Sequence, residues 1–177
     1  MQHTLVSPPR TIMEVFKMLP QGTLAEVIEN TLYMSPTPTS NHQRISRKIS
    51  TQLDGYVTQH DLGEVFYAPL DVYLDETSNA VQPDIFFVAN ANATIIKDKH
   101  IQGTPDLIVE ILSPGNSRHD MVVKKALYEK FGVKEYWIVD PETKQATGHT
   151  RINNSYTLLH EDTARIASSL LQHTFSF

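Results

Sequence analysis

A strand, a turn, an amphipathic helix and a second strand follow one another directly in the second half of the chain. The run from Leu107 to Leu112 is apolar and rich in β-branched residues, which predicts a strand covered on both faces. Apolar residues recur at every fourth position from Val123, and they predict a helix over 119–130 with Gly132 as its left-handed stop. Glu135–Asp140 is the second strand and ends before a proline. This strand–helix–strand unit forms the predicted centre of the fold.

Charged residues interrupt the apolar pattern of this unit. Glu110 lies inside the first strand, where a carboxylate is costly unless it is paired or binds a metal ion. The helical spacing predicts a polar face that consists of Asp120, Lys124 and Tyr128. It also predicts a core face that consists of Val123, Leu127 and Phe131. A strand with a lone acid is therefore followed directly by a helix that carries Asp, Lys and Tyr.

Hairpins are predicted near both ends of the chain. Asparagines at Glu29-Asn30 and Asn153-Asn154 tolerate the positive φ that tight turns require. A capping box at Thr11 predicts a short helix before the first hairpin, and the tail from Ile166 is expected to add a strand or short helix. On the first hairpin, Glu26 alternates with apolar residues, and the residues alone slightly favour an exposed charge there.

The longest predicted helix runs from about His42 to His60, after a cap at Ser40 or Asn41. Its core stripe is Ile45, Ile49, Leu53 and Tyr56, and its densest basic cluster is Arg44, Arg47 and Lys48. The cluster could contact phosphates or could be an ordinary solvated helix face, and the second interpretation is the commoner one.

The segment VQPDIFFV, from Val81 to Val88, reads as an apolar strand that is interrupted by Pro83-Asp84. Proline donates no hydrogen bond to a neighbouring strand, so we expect an edge strand or a bulge at this point. Residues 89–104 are polar and without pattern, and we expect a surface excursion there.

Composition narrows the classes of function. The chain has 177 residues, of which 40% are hydrophobic and 20% charged, as expected for one globular domain over residues 1–177. No apolar run is long enough to cross a membrane, the N-terminus does not resemble a signal peptide, and cysteine is absent, so a cytoplasmic protein is expected. A net charge of −5 argues against a protein that coats nucleic acid non-specifically.

Most catalytic signatures are missing from the sequence. It contains no HExxH, P-loop, GxGxxG or GxSxG motif, which leaves zinc hydrolases, nucleotide-binding proteins and serine hydrolases without support. The acids Asp84 and Glu110, on neighbouring predicted strands, could share Mg²⁺ or Mn²⁺ beside the lysine of the following helix. On spacing alone, both interpretations are open, and a structural network of buried charges is the commoner of the two.

The order of these motifs resembles the PD-(D/E)-x-K nuclease superfamily, and most closely its Uma-type branch of restriction-endonuclease-like proteins. The matching segments, spread over residues 26–141, are AEVIEN, His42 at the start of the long helix, VQPDIFFV, PDLIVEILSP and GVKEYWIVDP. The resemblance implies a mixed α+β, restriction-endonuclease-like fold, in which helices flank a central mixed sheet and an antiparallel hairpin layer is added.

The resemblance also implies a set of site residues. Asp84 and Glu110 would bind Mg²⁺ or Mn²⁺ with the Ile111 carbonyl as a third ligand. Leu112 stands at the usual position of the signature lysine, as in the Uma-type branch, and Lys124 on the next helix would replace it. Supporting roles would belong to Glu26, Asp120 and Tyr128, and nucleic-acid contacts to Arg44, Arg47 and Lys48.

Three hypotheses for function follow. The first is a metal-dependent endonuclease that hydrolyses DNA phosphodiester bonds as a homodimer, because a two-fold pair supplies one site per strand. The second is an inactive nuclease fold that binds nucleic acid or a protein partner, and it is motivated by the displaced lysine and the negative net charge. The third is a structural domain without a site. Individual residues keep structural alternatives: a Lys124–Asp120 pair, a half-buried Tyr128 with a hydrated hydroxyl, and Asp106 as a strand start.

Overall fold

Two β-sheets share the core of the computed structural model, which describes residues 9–113 and 119–177. The elements in chain order are α1 (Ile12–Lys17), β1 (Ala25–Ile28), β2 (Thr31–Met34), α2 (Ser40–Gln59), β3 (Gly63–Tyr67), β4 (Val72–Tyr73), β5 (Ala80–Val81), β6 (Ile85–Ala89), β7 (Ile101–Gln102), β8 (Leu107–Ile111), α3 (Lys125–Phe131), β9 (Glu135–Val139), β10 (Gln145–Ile152), β11 (Ser155–Thr163), β12 (Arg165–Ser168) and β13 (His173–Ser176).

The larger sheet has the strand order β11-β10-β9-β8-β6-β3, and only the β8–β9 pair in it is parallel. The smaller sheet has the order β2-β1-β5-β4-β7, in which β4 and β7 are parallel. The hairpin of β12 and β13 packs beside α2. The predicted α+β architecture with a mixed central sheet and added antiparallel hairpins is confirmed.

The two faces of the larger sheet bury different partners. On β6, Ile85 and Phe87 pack against the α2 stripe, while Phe86 and Val88 on the opposite face pack against α3 and the smaller sheet. This alternation follows from the period of two along a strand. Helix α2 begins at Ser40, whereas its predicted start was about His42. The reason is that Thr39, and not Ser40 or Asn41, accepts the capping hydrogen bond.

Both predicted hairpin turns are present. Glu29 and Asn30 have φ of 48° and 60°, and Asn153 and Asn154 have φ of 50° and 69°, which are the two successive positive values of a tight two-residue turn. Thr11 caps α1 by accepting a hydrogen bond from the Glu14 backbone N–H at 3.1 Å. Asparagine in the turn and threonine before the helix were therefore reliable local signals.

The prediction of an edge or bulged strand at Pro83-Asp84 was wrong. The apolar run divides into β5 of the smaller sheet and β6 of the larger one, and β6 lies between β8 and β3 in the sheet interior. Proline therefore stands in the short connection between the sheets and interrupts no ladder. The 89–104 segment also has more order than expected, because it contains a 3₁₀ turn, Asn90–Ile95, and the buried Ile101 of β7.

The predicted helix after β8 is present, and residues of both its predicted core face and its predicted polar face are buried. A π-helical turn, His119–Lys124, leads into α3. Val123, a predicted core residue, is 36% exposed, whereas Lys124 and Tyr128 of the predicted polar face are buried with Leu127. The helix turns its polar groups inward because a buried acid lies beneath them. Gly132 ends the helix with φ 87°, as predicted.

None of the helices in the described part of the chain combines the length and the hydropathy that a membrane crossing requires.

Gly148 of β10 allows the Trp137 ring to lie flat against the sheet. A Cβ at this position would be 2.5 Å from the Trp137 ring, whereas a Cβ at Gly55 of α2 would meet nothing within 4 Å. We expect Gly148→Ala to lower the free energy of unfolding by about 1–3 kcal/mol through overpacking. Gly55→Ala, the control, should raise it by about 0.5–1 kcal/mol because alanine favours the helix. Urea denaturation followed by circular dichroism measures both, and equal effects would contradict the packing argument.

Candidate active site

The register of the central strands brings the two predicted metal-binding acids together. β6 and β8 are antiparallel with Ile85 opposite Val109, so Asp84 and Glu110 are the next pair of the register. The Asp84 backbone N–H lies 3.4 Å from Glu110 Oε2. Two carboxylates that are 26 positions apart in sequence therefore meet at one end of the sheet.

Hydrogen bonds orient the Asp84 carboxylate from two sides. Its Oδ2 accepts the Ile111 backbone N–H at 2.7 Å and lies 3.1 Å from His42 Nε2. An ionised carboxylate only accepts, so His42 is the donor in this contact. Within residues 9–113 and 119–177, Oδ1 accepts no hydrogen bond, and the side chain is 19% exposed. One oxygen of Asp84 is thus fixed and the other is available to a ligand.

Glu110 is held by the helix that follows its strand. Its Oε1 accepts hydrogen bonds from Tyr128 Oη at 2.6 Å and from Lys124 Nζ at 3.0 Å. Glu110 is only 2% exposed, and a carboxylate at such a depth is tolerated because a cation and a hydroxyl compensate for lost hydration. Tyr128 is fully buried, so the alternative of a half-buried side chain with a hydrated hydroxyl was wrong, whereas the alternative of a Lys124–Asp120 pair involves a side chain outside the described residues.

Glu26 joins this group from the smaller sheet. Its Oε1 lies 2.9 Å from Lys124 Nζ and accepts the Gln82 backbone N–H at 2.8 Å. Glu26 is buried, so the expectation of an exposed hairpin charge was wrong. The alternation Leu24, Glu26, Ile28 did carry the correct information, since it assigned Glu26 to an apolar face.

Tyr128 is a neutral hydrogen-bond donor in this environment. Burial, and then the negative charges of Glu110 and Glu26, raise the pKa of the Tyr128 phenol well above its usual value. The phenol therefore keeps its proton at neutral pH. Its role is to hold Glu110 and not to exchange protons with a substrate.

The charges of the site suit a divalent cation. Glu26, Asp84 and Glu110 carry three negative charges, and Lys124 compensates for one of them, so these side chains leave two negative charges. Among the described residues, no three or more His, Asp or Glu side chains converge as a preformed metal cage. A carboxylate pair suffices for Mg²⁺, which commonly keeps several waters and takes its other ligands from substrate phosphates. The residues present fit such an ion.

The site opens into a cleft of about 250 Å³, which is lined by Glu26, His42, Asp84, Glu110, Ile111 and Lys124 among others. Tyr67, Gln43 and Ser46 also line the cleft. These three residues also line a second, larger groove of about 630 Å³ along the exposed side of α2. The cleft and this α2 groove are therefore adjacent and share a wall.

The basic cluster of α2 is divided by the helix geometry. Arg44 and Arg47 line the α2 groove together with Ser50, Thr51 and other residues, whereas Lys48 is exposed but is not among the groove residues. At about 100° per residue, Lys48 lies about 40° around the helix from Arg44 and about 100° from Arg47, on the side of Arg44 that faces away from the groove. The sequence cluster of three thus contributes two arginines to one surface.

The other predicted residues have separate roles. The Asp120 and His119 side chains lie outside the described residues. Asp106 accepts Lys134 Nζ at 2.6 Å and the Ala89 backbone N–H at 2.8 Å, which agrees with a structural role at the strand start. Trp137 is buried in the core.

Two residues at the site were not assigned roles from the sequence. His42 and Gln82 hold Asp84 and Glu26, respectively. The signal for His42 was its place at the first turn of α2, on the same stripe as Ile45 and Ile49, which turned it inward. Gln82 offers no such signal, because it acts through its backbone N–H.

Comparison with known proteins gives one family and one fold. Residues 13–176 match the model of the Uma2 family, described as "Putative restriction endonuclease". A crystal structure of "a putative nuclease belonging to DUF820" from Anabaena variabilis has 20% sequence identity, a TM-score of 0.74, and coverage of 93% of this chain and 92% of the other. At this identity the likeness shows the fold alone. No curated protein matches the chain.

The buried ion pairs of Lys124 have an exposed counterpart six residues further along the chain. Lys130 Nζ lies 2.7 Å from Glu29 Oε1, with side chains 59% and 62% exposed. We expect Lys124→Met to lower the free energy of unfolding by about 3–5 kcal/mol, because Glu26 and Glu110 lose their common cation. Lys130→Met, the matched control, should change it by no more than about 1 kcal/mol.

Chemical denaturation measures both lysine variants. Adding Glu26→Gln to Lys124→Met should recover part of the lost stability, because one of the two facing charges is removed. Equal losses for the two lysine variants, or no recovery in the double variant, would contradict the network.

Proposed function

Since this chain belongs to the Uma2 family of restriction-endonuclease-like proteins, we propose that it is a metal-dependent nuclease that hydrolyses DNA phosphodiester bonds. The observation that carries the proposal is the meeting of Asp84 and Glu110 in an open cleft, with Lys124 from the next helix beside them. Carboxylates on adjacent strand ends with a nearby cation are suited to phosphoryl chemistry.

The proposed metal ligands are Asp84, Glu110 and the Ile111 carbonyl, with Mg²⁺ or Mn²⁺ as the ion. When bound, the ion would lower the pKa of a ligand water and neutralise charge on the phosphate. The available Oδ1 of Asp84 and the two uncompensated negative charges support this assignment. The peptide of Ile111 lies beside them, since its N–H donates to Asp84.

The remaining residues prepare the cleft for a phosphate. Lys124 brings a positive charge to the cleft wall, where it would stabilise negative charge on the attacking or leaving oxygen. Glu26 and Tyr128 fix the directions of Lys124 and Glu110, and His42 fixes Asp84. These three are positioning residues. The role of Asp120 on the same helical segment stays a prediction.

The displaced lysine is compatible with this chemistry. Leu112 stands where the superfamily signature has lysine, and its neighbour Ile111 ends β8. Lys124 reaches Glu110 from the helix above and lies 3.0 Å from its Oε1. The amine therefore comes from a different element and approaches the same carboxylate.

One observation favours the rival function, a nuclease fold that binds nucleic acid or a protein without cleaving. Lys124 Nζ contacts both Glu26 and Glu110 and is nearly inaccessible, with its side chain 7% exposed. An amine held in this way has less freedom to follow the charge of a transition state. Metal titration and cleavage assays separate the two functions.

Cleavage of supercoiled plasmid DNA with Mg²⁺ or Mn²⁺ tests the proposed hydrolysis. We expect the wild type to nick the plasmid, and Asp84→Asn and Glu110→Gln to lose at least about 100-fold in rate, because each removes a charged metal ligand. Glu64→Gln is the matched control, since Glu64 is an exposed acid of β3. It should retain full activity.

Calorimetric titration with Mn²⁺ reports on the ion separately from cleavage. A single site in the wild type that Asp84→Asn abolishes supports the ligand assignment. A wild type that binds Mn²⁺ but cuts nothing would leave the binding module as the function. Cleavage by Glu110→Gln at the wild-type rate would refute the mechanism.

Arg44 and Arg47 are proposed to contact the phosphate backbone of DNA in the α2 groove. We expect Arg44→Ala and Arg47→Ala each to reduce the slope of log K against log salt by about 1, because each lost phosphate contact releases one counterion fewer. Lys48→Ala is the matched control and should change the slope little. Fluorescence anisotropy at several salt concentrations measures the slopes, and a larger effect of Lys48→Ala would overturn the assignment.

The homodimer expected for double-strand cleavage stays a prediction. One cleft acts on one phosphodiester bond, so a second copy is required only where both strands of a duplex are cut.

A further inference from the structure

Tyr67 is an exposed aromatic residue at the mouth of the candidate active site. It ends β3, an edge strand of the larger sheet, and its side chain is 65% exposed. In the described part of the chain its hydroxyl makes no hydrogen bond and its ring contacts no other ring. Folding therefore leaves both the ring face and the hydroxyl available to a ligand.

The position of Tyr67 is tied to the proposed metal site. Tyr67 is paired with Ile85 in the β3–β6 register, and the next residue, Ala68, donates its N–H to the Asp84 carbonyl at 3.1 Å. Tyr67 is therefore about one residue step from the strand position of Asp84. It lines both the 250 Å³ cleft and the 630 Å³ α2 groove.

The α2 groove has the chemistry of a path for a phosphate backbone. Arg44 and Arg47 supply positive charge, Ser46 and Thr51 supply hydroxyl groups, and Asp54 is the acid among the groove residues. Sequence-independent contacts to phosphates use arginine, serine and threonine side chains. The groove residues run along α2 from 43 to 54, a rise of about 16 Å. This rise is about the length of five stacked nucleotides of one strand.

An aromatic ring beside such a path selects for an unpaired base. In a duplex the base faces are covered by their neighbours, whereas a single strand, a flap or a mismatch exposes them. Stacking on aromatic side chains, combined with a basic groove that follows the backbone, is how proteins bind single strands without sequence preference. The Arg44, Arg47 and Tyr67 surface has both components.

We propose that the substrate strand is single-stranded or locally unpaired DNA, which follows the α2 groove into the cleft and stacks a base on Tyr67 next to the scissile phosphate. The inference rests on the proposed nuclease function and names its substrate class. Cleavage of a duplex would then begin at unpaired or frayed positions.

Binding in EDTA tests the inference without hydrolysis. The probes are a fluorescein-labelled 12-nucleotide single strand and the blunt duplex of the same sequence, followed by anisotropy. We expect the wild type to bind the single strand about tenfold or more tightly than the duplex. Tyr67→Ala should weaken single-strand binding about fivefold or more, and Tyr67→Phe, the matched control with an intact ring, should stay within about twofold of the wild type.

A 2-aminopurine placed at successive positions of the single strand gives a second readout. One position should be quenched by the wild type and by Tyr67→Phe, and not by Tyr67→Ala, which circular dichroism should show to be folded. Equal affinity for the two probes, binding of neither, or wild-type binding by Tyr67→Ala would overturn the inference.

The two proposals fail separately. Single-strand preference in a protein that cuts nothing refutes only the nuclease function, and metal-dependent cleavage without strand preference refutes only the inference about the substrate.

Discussion

The burial of Glu110 is the constraint on which the rest of the site depends. A carboxylate in a central strand, 2% exposed, loses most of its hydration, and the free energy of folding must recover this loss through direct contacts. Lys124 and Tyr128 supply them by meeting at one carboxylate oxygen. A network of this kind adds little net stability compared with an apolar core, but loss of one member is expensive. Its retention in the centre of the sheet therefore agrees better with a use in chemistry than with a use in stability.

The same constraint explains why periodicity alone did not show which residues of the helical segment after β8 are buried. Periodicity distinguishes faces by hydropathy, and it placed Val123 on a core face and Lys124 on a second, polar face. In the folded protein, Val123 is partly exposed and Lys124 is buried. The reason is a long-range one, because the acid that attracts the lysine lies on the preceding strand. Lys124 is the last residue of a π-helical turn, a conformation that is rare and often found at functional sites.

Local signals predicted the local structure well. Positive-φ asparagines, the Thr11 cap and the Gly132 stop each acted through the backbone of a few residues, and each is present. The resemblance of the motifs brought Asp84, Glu110 and Lys124 forward as a group, and in the structure Asp84 and Lys124 each contact Glu110. The docking of the two sheets against each other could not be predicted from the sequence. Pro83 was interpreted as an interruption of one strand, whereas it separates strands of different sheets. Backbone donors such as the Gln82 N–H cannot be recognised from the residue type.

Gln82 links the site to several distant parts of the chain through its hydrogen bonds. Its backbone N–H holds Glu26, and its side-chain amide donates to Asp71 Oδ1 at 2.8 Å and to the Thr23 carbonyl at 3.1 Å. The acid–lysine group therefore draws on residues from position 26 to position 128, across both sheets. A partly synthesised chain that ends before the helix with Lys124 and Tyr128 lacks the cation and the phenol that hold Glu110. The group around Glu110 is therefore complete only when the chain extends through Tyr128 and the two sheets have docked.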